Sequence, residues 1–202
     1  MKKWIGLLLV AAAAFYFMRE DKAEIKNVNN PGVNIVAFGD SLTAGFGAPA
    51  GSSYPDFLAQ KVNLPVINLG RSGETGVEAP ARLDTALSQN PYMVLIEFGG
   101  NDFMRGVDPS RTFAAVEEMV DRVQRAGAVA VIVNTGGYPG MGAYTRAYKR
   151  IAADKQAVFV PGILDGIFGK TQYKADTVHP NAEGYKVVAD KVYEGIQPYL
   201  KK

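Results

Sequence analysis

Cysteine is absent from this chain of 202 residues, and histidine occurs once, at His179. The first absence excludes disulfides, a thiol nucleophile and a lipoprotein-type anchor. With no Cys and no pair of His at ligand spacing, a metal centre assembled from Asp40, Asp102, Asp176 and His179 is disfavoured, and the chemistry calls for no metal or other cofactor. An excess of one charge is missing too. The 22 Lys and Arg and 20 Asp and Glu leave a net charge of +2, with the basic residues scattered, which is no footprint for a nucleic-acid partner. Neither G-x-G-x-x-G nor G-x-x-x-x-G-K-[ST] can be laid on the glycine-rich stretches 70–76 and 136–142, so a phosphate-cradling loop is excluded there. Internal repeats and low-complexity tracts are also lacking.

What is present starts from the lone imidazole. His179 stands in Asp176-Thr177-Val178-His179-Pro180, where Asp176 is near enough along a tight turn to meet a ring nitrogen. Pro180 disfavours the α conformation at His179 and so presents the ring from a constrained loop. A carboxylate beside an imidazole fixes its tautomer and stabilises the imidazolium. The missing partner is a nucleophile. Ser41 supplies one, at the end of an apolar run over 33–38 that reads as a buried strand. Serine, histidine and aspartate together make a nucleophile, a base and an orienter.

At this point the residues resemble a known family. Gly39-Asp40-Ser41-Leu42 is similar to the block that names the GDSL hydrolases, and the other blocks of the SGNH hydrolase superfamily follow in order: Gly70-Arg71-Ser72-Gly73-Glu74-Thr75, Gly99-Gly100-Asn101-Asp102 and Asp176-Thr177-Val178-His179. The chain most resembles the small bacterial esterases of the thioesterase I/lysophospholipase L1 and arylesterase type. The resemblance implies a serine esterase cleaving acyl or aryl esters through an acyl-enzyme, with Ser41, Asp176 and His179 as the triad. It assigns the oxyanion donors to the backbone N–H groups of Ser41 and Gly73 and the side-chain amide of Asn101. Each such donor contributes ~10²–10³ in rate. Glycine suits position 73 because it allows close backbone approach and φ > 0. Gly70, Gly99 and Gly100 read instead as strand-to-helix turns. Asparagine also suits a helix cap, but Asn101 directly follows the apolar run 93–98, where strand-end chemistry is expected. Asp40 and Asp102 read as structural hydrogen-bonding residues.

The N-terminus carries Lys2 and Lys3, an apolar run over 4–18 and then Arg19-Glu20-Asp21-Lys22. This is the pattern of an export signal or a short membrane anchor. It is shorter than the ~20 residues that cross a bilayer comfortably, with Ala11-Ala12-Ala13 as a cleavage signal and Phe15, Tyr16 and Phe17 as interfacial aromatics. Either version places the protein outside the cytoplasm, periplasmic or anchored through residues 4–18. Residues 19–32 then read as a linker and 33–202 as one catalytic domain, of ordinary size for a single core.

Continuous apolar runs at 33–38, 65–69, 92–98, 128–134 and 157–160 predict buried parallel strands. Helical stretches are expected near 54–62, 77–88, 109–126, 143–154 and 181–197, the last with Tyr185, Val188, Val192 and Ile196 on one face and Pro180 at its first turn. This alternation predicts a three-layer α/β/α sandwich on a five-stranded parallel sheet of flavodoxin-like type. Loops 103–108, 135–143 and 162–173 are expected to line the acyl side with Met104, Tyr138, Met141, Ile163, Ile167 and Phe168, about half of which should merely cap the core. The expected partner is a small-molecule ester. The other substrate class considered is an O-acetylated cell-wall or extracellular glycan, which the sequence does not separate from acyl esters, thioesters or lysophospholipids.

Overall fold

The computed structural model describes residues 24–201. Five parallel strands form one sheet: β1 Asn34–Gly39, β2 Val66–Gly70, β3 Pro91–Glu97, β4 Val129–Val133 and β5 Val158–Val160, in the order β2-β1-β3-β4-β5. The strands are apolar on both faces because helices cover both. Alternate residues of β1, Ile35 and Ala37, join Met93, Leu95, Val129 and Val131 in one core, while Val36 and Phe38 join Val94, Ile96, Ala130 and Ile132 in the other. The first core is closed by α2 (Tyr54–Ala59) and α7 (Ala182–Ile196), and the second by α5 (Pro109–Arg125) and α6 (Gly142–Lys155). Tyr185, Val188, Val192 and Ile196 of α7 are buried, as their spacing predicts.

Three helical expectations differ in detail. The stretch near 77–88 is a 3₁₀ turn, Ala79–Arg82, followed by a short α3, Leu83–Leu87. Pro80, which has no N–H to give an α-helical ladder, lies inside that turn. Helix α2 ends at Ala59, where Gln60 N–H turns back to Phe57 O at 3.2 Å. Pro180 lies outside α7, because the Asn181 side chain accepts from Gly184 N–H at 3.0 Å and takes the N-cap position itself. Two further helices, α1 (Ser41–Ala44) and α4 (Gly100–Met104), are too short for apolar periodicity to reveal.

The expected signal or anchor at 1–18 lies outside the described residues. The described part of the expected linker is docked on the domain. Ile25 and Val28 pack on the core, Asn27 Nδ2 donates to Gln124 O at 2.9 Å and Ala128 O at 3.0 Å, and Asn30 Nδ2 donates to Tyr92 O at 3.0 Å. All of these contacts lie where β3, β4 and β5 begin. Ser41, Gly73 and Asn101 follow the opposite ends of β1, β2 and β3. The flank of β1 where chain order reverses is where open α/β sheets place ligands.

Candidate active site

Ser41 sits in the first turn of α1, immediately after β1. Asp40 caps that turn, its Oδ1 accepting from Leu42 N–H at 2.9 Å, and Gly45, at φ +83°, ends the helix after one turn. Ser41 is thus lifted at the tip of a strand-turn-helix corner. Its Oγ lies 3.0 Å from His179 Nε2, and His179 Nδ1 lies 2.9 Å from Asp176 Oδ2. The other oxygen, Asp176 Oδ1, accepts from the backbone N–H groups of Val178 and His179, each at 2.7 Å. Burial pushes the Asp176 carboxyl up, but these three hydrogen bonds outweigh it and hold the carboxyl at about 2. It is therefore an ionised acceptor near neutrality. His179 Nδ1 must then carry the proton, which leaves the Nε2 lone pair for the Ser41 hydroxyl.

The loop that carries His179 is closed by Ala175 N–H to His179 O at 3.0 Å and by an antiparallel bridge between Lys174 and Pro180. The Phe46 ring lies 4.6 Å from the imidazole, centroid to centroid. The exposed Phe46 belongs to no motif, so nothing in the chain order singles it out.

Gly73 has φ +80°, a conformation only glycine adopts at low cost. Its carbonyl accepts from Arg105 Nη2 at 2.6 Å, so the peptide on that side is oriented by a guanidinium. The N–H groups of Ser41 and Gly73 have no hydrogen-bond partner among the described residues. Asn101 Nδ2 donates to Glu74 O at 2.9 Å and to Asp40 Oδ2 at 3.1 Å. It thus ties the residue after Gly73 to the residue before Ser41. Ser41, His179 and Asp176, the residues expected to form a triad, are brought into direct contact, and Gly73 and Asn101 are brought in through these neighbours.

Asp40 and Asp102, expected as hydrogen-bonding residues, both accept hydrogen bonds from their neighbours. Asp102 accepts from Gly76 N–H at 2.6 Å and Thr112 Oγ1 at 2.9 Å, pinning the loop after β2 to α5. Sequence reasoning missed Arg82. Its Nε donates to Glu74 Oε1 at 2.8 Å, its Nη2 pairs with Glu74 Oε2, and its Nη1 donates to Leu69 O at 2.9 Å. The guanidinium lies over the Phe38 ring at 4.1 Å. This buried pair fixes the Gly73–Glu74 loop to the ends of β1 and β2. A Glu and an Arg eight positions apart carry no motif, but an arginine on the inner side of an otherwise apolar turn was a usable signal.

Of the residues expected on the acyl side, Met141, Ile163 and Ile167 are core. Tyr138 and Phe168 pack ring on ring at 4.1 Å, and Tyr138 Oη donates to Val178 O at 3.1 Å, bracing the His179 loop. Met104 is exposed, together with Phe103. On the Gly73 side lies a polar cleft of about 670 Å³, lined by residues that include Arg71, Ser72, Glu78 and Arg105. Among the described residues no three His, Asp or Glu side chains are grouped to hold a metal ion.

Residues 37–187 match the model of the GDSL-like lipase/acylhydrolase family. The chain is 29% identical over 175 residues to the thioesterase 1/protease 1/lysophospholipase L1 of Escherichia coli strain K12, spanning 82% of this chain and 84% of that protein. Among solved structures, TesA matches with a TM-score of 0.77 at 27% identity, covering 83% of this chain and 99% of TesA. The psychrotrophic esterase EstA from Pseudoalteromonas sp., in a structure inhibited by monoethylphosphonate, matches with a TM-score of 0.73 at 28% identity, covering 82% of this chain and 97% of EstA.

Proposed function

The chain belongs to the GDSL-like lipase/acylhydrolase family and is a serine esterase acting on carboxylic esters, and from that premise we propose that Ser41, His179 and Asp176 are its catalytic triad. The observation that carries this is the unbroken chain from Asp176 Oδ2 through the imidazole to Ser41 Oγ, with links of 2.9 and 3.0 Å. His179 Nε2 takes the Ser41 proton as Oγ attacks the ester carbonyl. The tetrahedral oxyanion is met by the free N–H groups of Ser41 and Gly73 and by the Asn101 N–H that otherwise rests on Glu74 O, which turns to the oxyanion as charge develops there. As the C–O bond to the leaving group breaks, the imidazolium returns the proton to the departing alcohol. Water, activated by the same nitrogen, then releases the acid and regenerates the serine.

Exposed Phe46, Phe103 and Met104 offer apolar surface beside the nucleophile loop and at the end of α4, which favours acyl or aryl esters over acetylated sugars. The polar cleft beyond Gly73 suits the leaving group. Rates on p-nitrophenyl esters of increasing chain length, set against an acetylated glycan, decide between the two. A fluorophosphonate is expected to label the wild-type protein on Ser41 alone, with Ser41→Ala unlabelled. Label persisting in Ser41→Ala removes Ser41 from the mechanism.

The N-terminal pattern supports export, with the enzyme working outside the cytoplasm. Cell fractionation with intact-mass measurement is expected to find it either shortened in the periplasm or full-length in carbonate-washed membranes. A full-length product in the cytoplasm contradicts both.

A further inference from the structure

One buried acid has no part in the triad. Glu97 ends β3 in the place where Met93 and Leu95 of the same face are core, and it is completely shielded from solvent. Its Oε2 accepts from Thr43 Oγ1 at 3.0 Å, and Thr43 Oγ1 lies 3.2 Å from Tyr54 Oη. Its Oε1 is buried and receives no aligned donor. A carboxylate oxygen stranded in that way is costly, whereas a protonated oxygen is itself a donor and needs only an acceptor. The acceptor at hand is the buried Asp40 carboxyl, since Asp40 directly follows Gly39, the register partner of Glu97 across β1 and β3. Two carboxyls in contact inside a protein hold one negative charge, not two.

The placement of donors says where that charge sits. Asp40 receives Leu42 N–H and the Asn101 amide, both charge-stabilising, whereas Glu97 receives the Thr43 hydroxyl. Burial pushes Asp40 up to about 6 and Glu97 well above its ordinary range. Among the groups that face the pair, Tyr54 of α2, Tyr148 of α6 and Tyr185 of α7 are kept as neutral phenols by burial, Asp102 of α4 opposes ionisation of Asp40, and His179 favours it. With the stronger donors on Asp40, the charge belongs on Asp40 and the proton on Glu97.

We propose that Glu97 is a positioning residue: as a neutral acid it donates its proton to Asp40, and Asp40, so kept ionised, holds the nitrogen end of the Asn101 amide in the site. A carboxylate can only accept, so it selects the NH₂ end of Asn101. Glu74 O selects the same end, but a protonated Asp40 could donate to Asn101 Oδ1 and would leave Glu74 O alone to hold the NH₂ group, and an N–H spent there is withheld from the oxyanion. The inference rests on the reading of Asn101 as that donor.

The test combines a spectrum of the wild-type protein with a pair of variants. By ¹³C-carboxyl NMR of the full chain, Glu97 is expected to keep the shift of a neutral acid between pH 6.5 and 8.5 while Asp40 shows that of a carboxylate (pH range set about the Asp40 value). An ionised Glu97 at ~pH 7 overturns the proposal, whatever the variants do. Glu97→Leu is expected to lower kcat by ~10–10² at nearly unchanged KM and to move the acidic limb of its pH profile upward, because Asp40 loses a donor. Glu97→Gln keeps both the donor to Asp40 and the acceptor for Thr43, and should restore most of kcat and the wild-type limb. A Glu97→Leu enzyme with an unshifted profile, or a Glu97→Gln enzyme as slow as Glu97→Leu, overturns it. Asn101→Ala separates the two readings: normal kcat there ends the donor role of Asn101, while the carboxyl spectrum stands independently.

Discussion

Replacing His179 by alanine is expected to lower kcat on an activated ester by ~10⁶, as loss of the base does in other serine hydrolases. The size follows from composition as much as from geometry. The chain contains no second imidazole and no thiol to stand in. Near neutrality Asp176 is ionised but too weak a base, held at about 2. The residual rate should be the ~10³–10⁴ over water that oxyanion donors and binding supply without a triad. Thermal unfolding should change little, since the ring is packed on the exposed Phe46 and not in the core. A stable His179→Ala protein that keeps most of its kcat would mean that the Ser41 proton goes elsewhere.

The second large effect is that of Asp176→Asn, expected to lower kcat by up to ~10⁴ with the fold intact. The asparagine oxygen can still take the two 2.7 Å backbone N–H bonds now received by Asp176 Oδ1. Its NH₂ group must then occupy the place of Oδ2, facing His179 Nδ1 at 2.9 Å. Two donors cannot face each other, so the imidazole proton moves to Nε2 and its lone pair is no longer available to Ser41. ¹⁵N spectra of the single histidine report this directly, as protonation at Nδ1 in the wild type and at Nε2 in the variant. Unchanged tautomer and near-normal kcat would remove Asp176 from the triad. The pH sign is also fixed. Because the carboxyl is lowered to about 2, what this contact adds to stability is present in full above the ordinary carboxylate value and disappears only as pH falls through about 2. Activity lost between pH 5 and 7 therefore does not come from Asp176.

The parts legible in the sequence are those where one residue type or one period decides the structure. Each strand lies within about two residues of its apolar run, because covering both faces of a parallel sheet requires continuous Val, Ile, Leu and Met. Ser41, Gly73, Asn101, Asp176 and His179 stand out as candidates because each belongs to a short block with fixed internal spacing. What escaped depends on partners far apart in the chain. Arg82 and Arg105 act on the loop at 73–74 from other elements, Phe46 meets His179 across 133 positions, and Glu97 looks in sequence like the polar end of a strand. Helices α1 and α4, of four and five residues, are held by their caps and by the strands they follow, so no periodicity announces them.

The docking of residues 25–30 where β3, β4 and β5 begin also decides how the enzyme can be handled. Strands of five to seven residues separate that pole from the ester-cleaving one by roughly 20 Å. Any load attached ahead of residue 24, whether a resin, a bead or a fused protein, pulls on the far side of the sheet from Ser41. An enzyme immobilised by that end presents its cleft to the liquid and should turn over bulky dissolved esters as fast as the free protein. Coupling through Lys174, which itself bridges to Pro180 beside His179, would instead crowd the nucleophile and strain the loop that aims it.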